Sequence, residues 1–221
     1  MSPVRIRYQT IEFDSTDIHL RTLRDNQQYS DENDIAKKLG ISSATWPLFG
    51  VVWPSSIVLA NFMLSYNYSG KRILEVGCGI GLVSLLLNHN HADISATDIH
   101  PEAEEFLIKN ANLNNGKVIP FKRANWNDID TKLGQFDLIV GSDLLYEREN
   151  VNLLAEFINH HTKADAHVII VDPGRGNHAT FSKKMVALGY SHTQNQPADT
   201  SYLEKQFKGQ ILEYACHEVV A

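Results

Sequence analysis

Three groups of residues in this chain have types and spacings suited to chemistry. The first is Ile73-Leu74-Glu75-Val76-Gly77-Cys78-Gly79-Ile80-Gly81-Leu82, an apolar run that enters a glycine-rich turn. Glycines let a backbone approach a ligand closely, and a helix that starts behind them presents unpaired N–H groups. The glycines fall at i, i+2 and i+4, and Leu82 stands at i+5, so the GxGxxG spacing of a dinucleotide loop is not met. Glu75 would repel a pyrophosphate and welcome a ligand that carries an amino group or a sulfonium. The second is Asp98, 21 residues after Gly77 and at the end of the next apolar run. A carboxylate there can accept hydrogen bonds from both hydroxyls of a ribose, or cap the helix that follows. The third is the pair Asp143 and Tyr146, which project to one side if their segment makes a helical turn.

These residues need strands and helices to position them. Residues 72–76, 93–97, 117–123, 136–141 and 167–171 read as short buried strands. Between them, 81–89, 101–112, 149–161 and 177–188 read as helices. Pro101 suits a first helical turn and Gly189 a stop. This alternation predicts βαβ units and a parallel sheet with helices on both faces, an α/β fold. Residues 190–194 and 210–219 are strand-like with only a polar connector between them, which predicts an antiparallel C-terminal hairpin. Near the N-terminus, 4–13 and 18–23 read as a hairpin around Asp14-Ser15-Thr16-Asp17. Residues 25–38 read as a loop or short helix, and 54–66 as a helix behind Pro54. The expected organisation is a small N-terminal β-hairpin cap over 1–50 and a sheet domain over 51–221.

Composition narrows the classes. The chain has 221 residues, 20 basic and 26 acidic side chains, a formal charge of −6 and 43% hydrophobic content. A domain of this size buries roughly 70% of its unfolded surface and needs no staple. Cys78 and Cys216 lie 138 residues apart without CxxC spacing, which speaks against structural zinc or a disulfide framework and for a reducing, cytoplasmic compartment. The acidic balance speaks against a nucleic-acid partner. The apolar stretch 73–87 holds Glu75 and three glycines and is too short to span a bilayer, so no membrane association is expected. His89, His91, His160 and His161 lie at helix ends as caps or surface residues, with no metal expected, and a monomer is favoured.

With these residues in view, Ile73–Gly81 followed by Asp98 resembles motif I and its acidic partner in seven-strand, S-adenosylmethionine-dependent methyltransferases, over roughly residues 54–221. Gly50-Val51-Val52-Trp53-Pro54, Asn125-Trp126 and Ser142-Asp143-Leu144-Leu145-Tyr146 resemble, more narrowly, the methyltransferase-16 family of protein-lysine methyltransferases and its D-x-x-Y motif. That family commonly has an aspartate where this chain has Asn125. Residues 171–175 also resemble a turn in bacterial nicotinamide-methyltransferase-like relatives.

The resemblance implies a Rossmann-like, seven-stranded, mostly parallel sheet with an antiparallel C-terminal strand. It implies S-adenosylmethionine as cofactor, lined through backbone by Gly77, Cys78 and Gly79, with Glu75 near its amino group. Asp98 would take the ribose hydroxyls and Ile99 would pack on the adenine. Trp126 would sit at the adenine end, Ser142 would lend backbone, and Trp53 would stand beside the cofactor or in the core. Trp46 is assigned to the core or to a cap contact.

Asp143 and Tyr146 are the catalytic candidates. A lysine amine, with a reference pKa of ~10.4, must lose its proton before it attacks a methyl group. Asp143 would grip the incoming ammonium and aim it, unless it merely caps the next helix, and Tyr146 would accept or donate a hydrogen bond and wall the channel. The segment after the fourth strand has no proline, unlike the (D/N)PPY loops that hold flat amide or base acceptors. Arg175, near the expected substrate entrance with Asp172, would either anchor an acidic group of the substrate or merely pair with a surface carboxylate. The leading expectation is a protein-lysine N-methyltransferase. The alternatives are N-methylation of a small amine or nicotinamide-like molecule, and a methyltransferase-like binding protein without turnover.

Overall fold

The computed structural model describes residues 4–14, 16–128 and 131–216. Ser15 of the expected turn and residues 217–219 of the last expected strand lie outside them. The hairpin β1 (Ile6–Phe13) and β2 (Thr16–Leu23) forms a two-stranded sheet of its own. A short helix α1 (Ile35–Lys38), a 3-10 turn at Trp46–Gly50 and helix α2 (Pro54–Ser65) lead into the main sheet. There follow β3 (Arg72–Val76), α3 (Leu82–His89), β4 (Asp93–Asp98), α4 (Ala103–Leu113), β5 (Phe121–Arg123) and β6 (Phe136–Ser142). Helix α5 (Val151–His161), β7 (Thr162–Asp172), α6 (His178–Ala187), β8 (Tyr190–Asn195) and β9 (Gln210–Cys216) complete it.

The seven strands of the main sheet run in the order β5-β4-β3-β6-β7-β9-β8. All pairings among the first five are parallel, and β9 lies antiparallel between β7 and β8. The order reverses at β3, whose neighbours are β4 and β6, so a crevice opens at the carboxyl ends of these three strands. Gly77, Asp98 and Ser142 sit at those ends.

Strand alternation sorts the core into two layers. Ile73, Leu138, Val140, Ile169 and Val171 face α2, α3, α4 and the cap, whereas Leu74, Val76, Ile139, Val168 and Ile170 face α5 and α6. Glu75 shares the face of Ile73, which places a carboxylate beneath α3. Burial on both faces explains why these strands are continuous apolar runs. The cap has no separate core: Phe13, Ile18, Leu20, Leu23, Trp46 and Phe49 belong to the same cluster as Ile73 and Leu86.

Side chains of α4 attach the hairpin to the domain. Asn110 accepts the Arg21 N–H at 2.7 Å and donates to the Arg21 carbonyl at 3.2 Å and to that of Ile80 at 3.1 Å. Asn114, one turn on, accepts the His19 N–H at 2.8 Å and donates to the His19 carbonyl at 2.7 Å. The two amides imitate a neighbouring strand along the edge of β2.

Several expectations are adjusted. The strand expected over 117–123 shrinks to Phe121–Arg123, because Pro120 cannot donate to the ladder and Val118 is exposed; the Pro120 carbonyl still accepts the Ala96 N–H at 2.9 Å. α4 begins at Ala103, since the backbone at Glu102 first donates to His100 Nδ1 at 3.1 Å. His161 is a core residue, not a cap: its Nδ1–H donates to the Gly134 carbonyl at 2.8 Å and its Nε2 lies 3.0 Å from Thr131 Oγ1. The stretch Trp46–Ser65 is long and apolar enough by composition to cross a membrane. Extended backbone at Val51 and Trp53 divides it, and Trp46, Leu59 and Met63 are buried in the core.

Candidate active site

A cavity of about 510 Å³ opens at the carboxyl ends of β3, β4 and β6. Its floor is the glycine loop. Gly77, Gly79 and Gly81 have φ of 62°, 54° and 81°, a left-handed backbone that other residues rarely adopt. At Gly79 space adds to the demand: a Cβ there would lie 2.7 Å from the carbonyl oxygen of Phe49 in the cap. Backbone bonds fix the loop, with Cys78 N–H on the Thr97 carbonyl at 2.9 Å and Gly81 N–H on that of Cys78 at 2.8 Å. Burial and the carboxylates of Asp98 and Glu75 raise the Cys78 thiol well above its usual range, so it is an inert wall.

Asp98 closes the loop from β4. One carboxylate oxygen accepts the Gly79 N–H and the other the His100 N–H, each at 2.8 Å. Burial raises its pKa against the pull of these bonds. A carboxylate offers about four lone-pair positions, so acceptor capacity remains on this cavity-lining group. Ile99 and Trp126 line the same end. His100 stacks on Phe49 with ring centroids 3.7 Å apart and planes 15° from parallel, and Trp46 packs on both rings. Burial holds the His100 imidazole down at about 3, so the stack is neutral.

Glu75 is placed differently from the expectation. It does not line the cavity; its buried carboxylate turns to α3, accepting the Ser84 N–H at 2.8 Å and a short bond from the Ser84 hydroxyl. Gly81, the residue before α3, has no side chain to cap the helix, and Glu75 satisfies the first turn from the adjacent strand. Burial first, and then the charge of Asp98, raise Glu75 to about 7.

At the other end stand Trp53, Ser142, Asp143, Tyr146 and Arg175. Asp143 does not sit on a helical turn, as its spacing with Tyr146 suggested. Its φ is 56°, and its N–H donates to the Val171 carbonyl at 2.9 Å. It is not the cap of α5, which is Asn150. A left-handed non-glycine residue at a strand tip is local strain of the kind that accumulates at functional sites. The Asp143 side chain is only 8% exposed and is gripped by Arg175, with Nε to Oδ1 at 2.8 Å and Nη2 to Oδ2 at 3.0 Å. The guanidinium also lies 5.9 Å from the Trp53 ring centre, and the Trp53 indole N–H is tied to the Leu48 carbonyl at 2.8 Å. Burial pushes the Tyr146 hydroxyl up to about 12, so it remains a donor, and its ring is half exposed at the mouth.

The family model described as lysine methyltransferase matches residues 35–186. This chain belongs to the lysine methyltransferase family. Among relatives, it is 34% identical over 148 residues to the electron transfer flavoprotein beta subunit lysine methyltransferase of Xenopus laevis, covering 63% of this chain and 56% of that protein. It is 31% identical over 142 residues to the protein N-lysine methyltransferase METTL21A of Danio rerio, covering 61% and 62%. The chain thus spans a little over half the length of these relatives. Its fold is similar to that of magnesium protoporphyrin IX methyltransferase from Synechocystis, solved with bound SAM, at a TM-score of 0.59 and 18% identity, covering 87% and 88%.

Of the cofactor and catalytic residues expected from the sequence, Trp53, Gly77, Cys78, Gly79, Asp98, Ile99, Trp126, Ser142, Asp143 and Tyr146 border this cavity and Glu75 does not; Arg175 borders it too, whereas Trp46 and Asp172 do not. One contribution was missed. The cap supplies Leu39, Ile41, Leu48 and Phe49 to the cavity wall. Arg175 pairs with a carboxylate, but not with the surface one expected: its partner is the buried catalytic candidate Asp143.

Proposed function

We infer that this chain is an S-adenosylmethionine-dependent N-methyltransferase whose acceptor is a lysine side chain of a protein. The observation that carries this is one continuous cavity with a side-chain-free glycine loop and a buried carboxylate at one end and an acid, a phenol and an indole at an open mouth. The residues present fit the cofactor: Asp98 has acceptor capacity for a diol, Ile99 and Trp126 can flank a flat ring, and the bare loop admits close backbone contact. When bound, S-adenosylmethionine supplies a methyl group on a positively charged sulfur.

The chain's own contribution is placement, the main source of rate in a direct displacement. Trp53 and Tyr146 form apolar walls for an aliphatic stem, Asp143 accepts a hydrogen bond from the nitrogen, and Tyr146 O–H donates at the rim. An amine held by these residues would keep its lone pair free and aimed at the methyl group that the bound cofactor would supply. The half-exposed mouth supports a side chain presented by a large partner over a small molecule engulfed whole. Both cysteines are free, which suits a cytoplasmic protein.

The test is incubation of the purified chain with methyl-labelled S-adenosylmethionine and size-fractionated cell lysate, followed by mass spectrometry. Label on lysine in a protein fraction is the expected result. Label confined to the small-molecule fraction would assign a small amine, and cofactor binding without any labelling would mean a binding protein. Asp143→Ala should lower transfer at least about 100-fold while cofactor affinity changes little.

A further inference from the structure

Arg175 has a role that the active-site motif does not include. Among the described residues that line the cavity it is the only lysine or arginine, against the carboxylates of Asp98, Asp143 and Glu147. It is also held in place: two parallel bonds to Asp143, and its own backbone N–H on Asp172 Oδ2 at 3.3 Å, beside the Gly174 N–H on the same oxygen at 2.9 Å. A forked guanidinium–carboxylate contact fixes orientation as well as charge.

Building on the methyl-transfer reading, we propose that Arg175 is a positioning residue that acts through Asp143, aiming both carboxylate oxygens and cancelling their charge, so that the acceptor nitrogen meets a hydrogen-bond acceptor and not a bare anion. The difference matters because only the neutral amine has a lone pair to give. An unpaired carboxylate beside the nitrogen would stabilise the ammonium and hold its proton on. With the fork in place, each Asp143 oxygen still has a lone pair for the incoming N–H. The other titratable groups around the pair are Asp98, Tyr146, Glu147, Asp172 and His178, the last with Nδ1 3.9 Å from Asp172. None of the carboxylates among them can replace the missing positive charge. Asp143 in turn raises the pKa of Arg175, in keeping with a cation that stays charged throughout the working range.

The experiment compares wild type, Arg175→Gln and Arg175→Lys. In wild type the rate of methyl transfer to poly-L-lysine rises with pH along a limb set by the bound amine. In Arg175→Gln that limb should move up by about one unit, the low end of what an uncompensated neighbouring charge causes at a solvent-open site. The loss is then about tenfold at every pH well below the limb and shrinks only as the pH passes the midpoint of the wild-type limb, and Arg175→Lys should restore the position of the limb. A loss of equal size at all pH values, with no displacement of the limb, would overturn the proposal. Binding is read separately, by calorimetry with n-butylammonium at pH 7 in the presence of S-adenosylhomocysteine. Arg175→Gln should bind it about tenfold more tightly than wild type, and equal or weaker binding would overturn the proposal. If wild type methylates no lysine yet the butylammonium affinities differ as expected, the lysine-transfer reading fails and the role of Arg175 stands.

Discussion

Gly79 lies against the carbonyl of Phe49 so closely that a Cβ would stand 2.7 Å from that oxygen. The contact joins the glycine loop to the cap through backbone alone, so the cap is part of the cavity's construction. Gly79→Ala would both strain a left-handed backbone, at about 1–2 kcal/mol, and push Phe49 out of its stack on His100. The expected result is a lower melting temperature together with about tenfold weaker S-adenosylhomocysteine binding. Unchanged affinity in a folded variant would show that the cap does not shape the site.

Asp98 holds the glycine loop with the same carboxylate that is proposed to take the ligand. Removing it in Asp98→Ala strands the N–H groups of Gly79 and His100, each at a cost of about 1–3 kcal/mol if no water reaches it. Binding of S-adenosylhomocysteine, expected in the micromolar range, should become undetectable by calorimetry, whereas Asp98→Asn should retain part of it. Equal binding by all three proteins would remove Asp98 from the cofactor site.

Glu75 gives the fold a pH dependence with a definite sign. Its folded pKa of about 7 exceeds the ordinary carboxyl value of 4.5, so the native state holds its proton more tightly than the unfolded chain does. Its contribution to stability is therefore fully present below about pH 4.5 and is lost as pH rises toward 7. Glu75→Gln keeps an acceptor for Ser84 without the charge, and should flatten the stability profile between pH 5 and 7 and raise stability above it by a few kcal/mol. Denaturant melts across that range decide it; a loss of stability at pH 8 would mean that the Ser84 bonds need the anion.

Asn110 is completely buried and satisfies three backbone groups, while Asn114 is more exposed. Asn110→Ala should cost about 2–4 kcal/mol and Asn114→Ala less than half of that. Amide exchange at Arg21 should accelerate in the first variant and at His19 in the second. Exchange that is uniform across β2 in both would show that burial alone retains the hairpin.

Much of this was legible in the sequence because the relevant forces are local. Strand β3 begins at Arg72 and ends at Val76 where its apolar run does, and Gly77 breaks it with a backbone that needs glycine. Asp98 and Ile99 follow from the end of the next strand. What was hidden depends on distant partners. Glu75 has the same chemistry in a cavity wall as under a helix, and only the packing of α3 against its face of the sheet decides between them. Arg175 finds Asp143 across 32 positions, a pairing no spacing encodes. The left-handed turn at Asp143 is equally silent, since aspartate is not a residue that demands it. The role of Asn110 as a substitute strand edge has no signature beyond an asparagine on a helix.

The position of β9 has a consequence for how the molecule is made. Strand β8 touches the main sheet only through β9, which comes later in the chain and slots between β8 and β7. During synthesis β8 therefore leaves the ribosome with no seat, and Val168 to Val171 of β7 present an open edge until β9 arrives. An unpaired strand edge is a template for pairing with other chains, so the nascent chain carries that hazard until β9 is free to pair with β7.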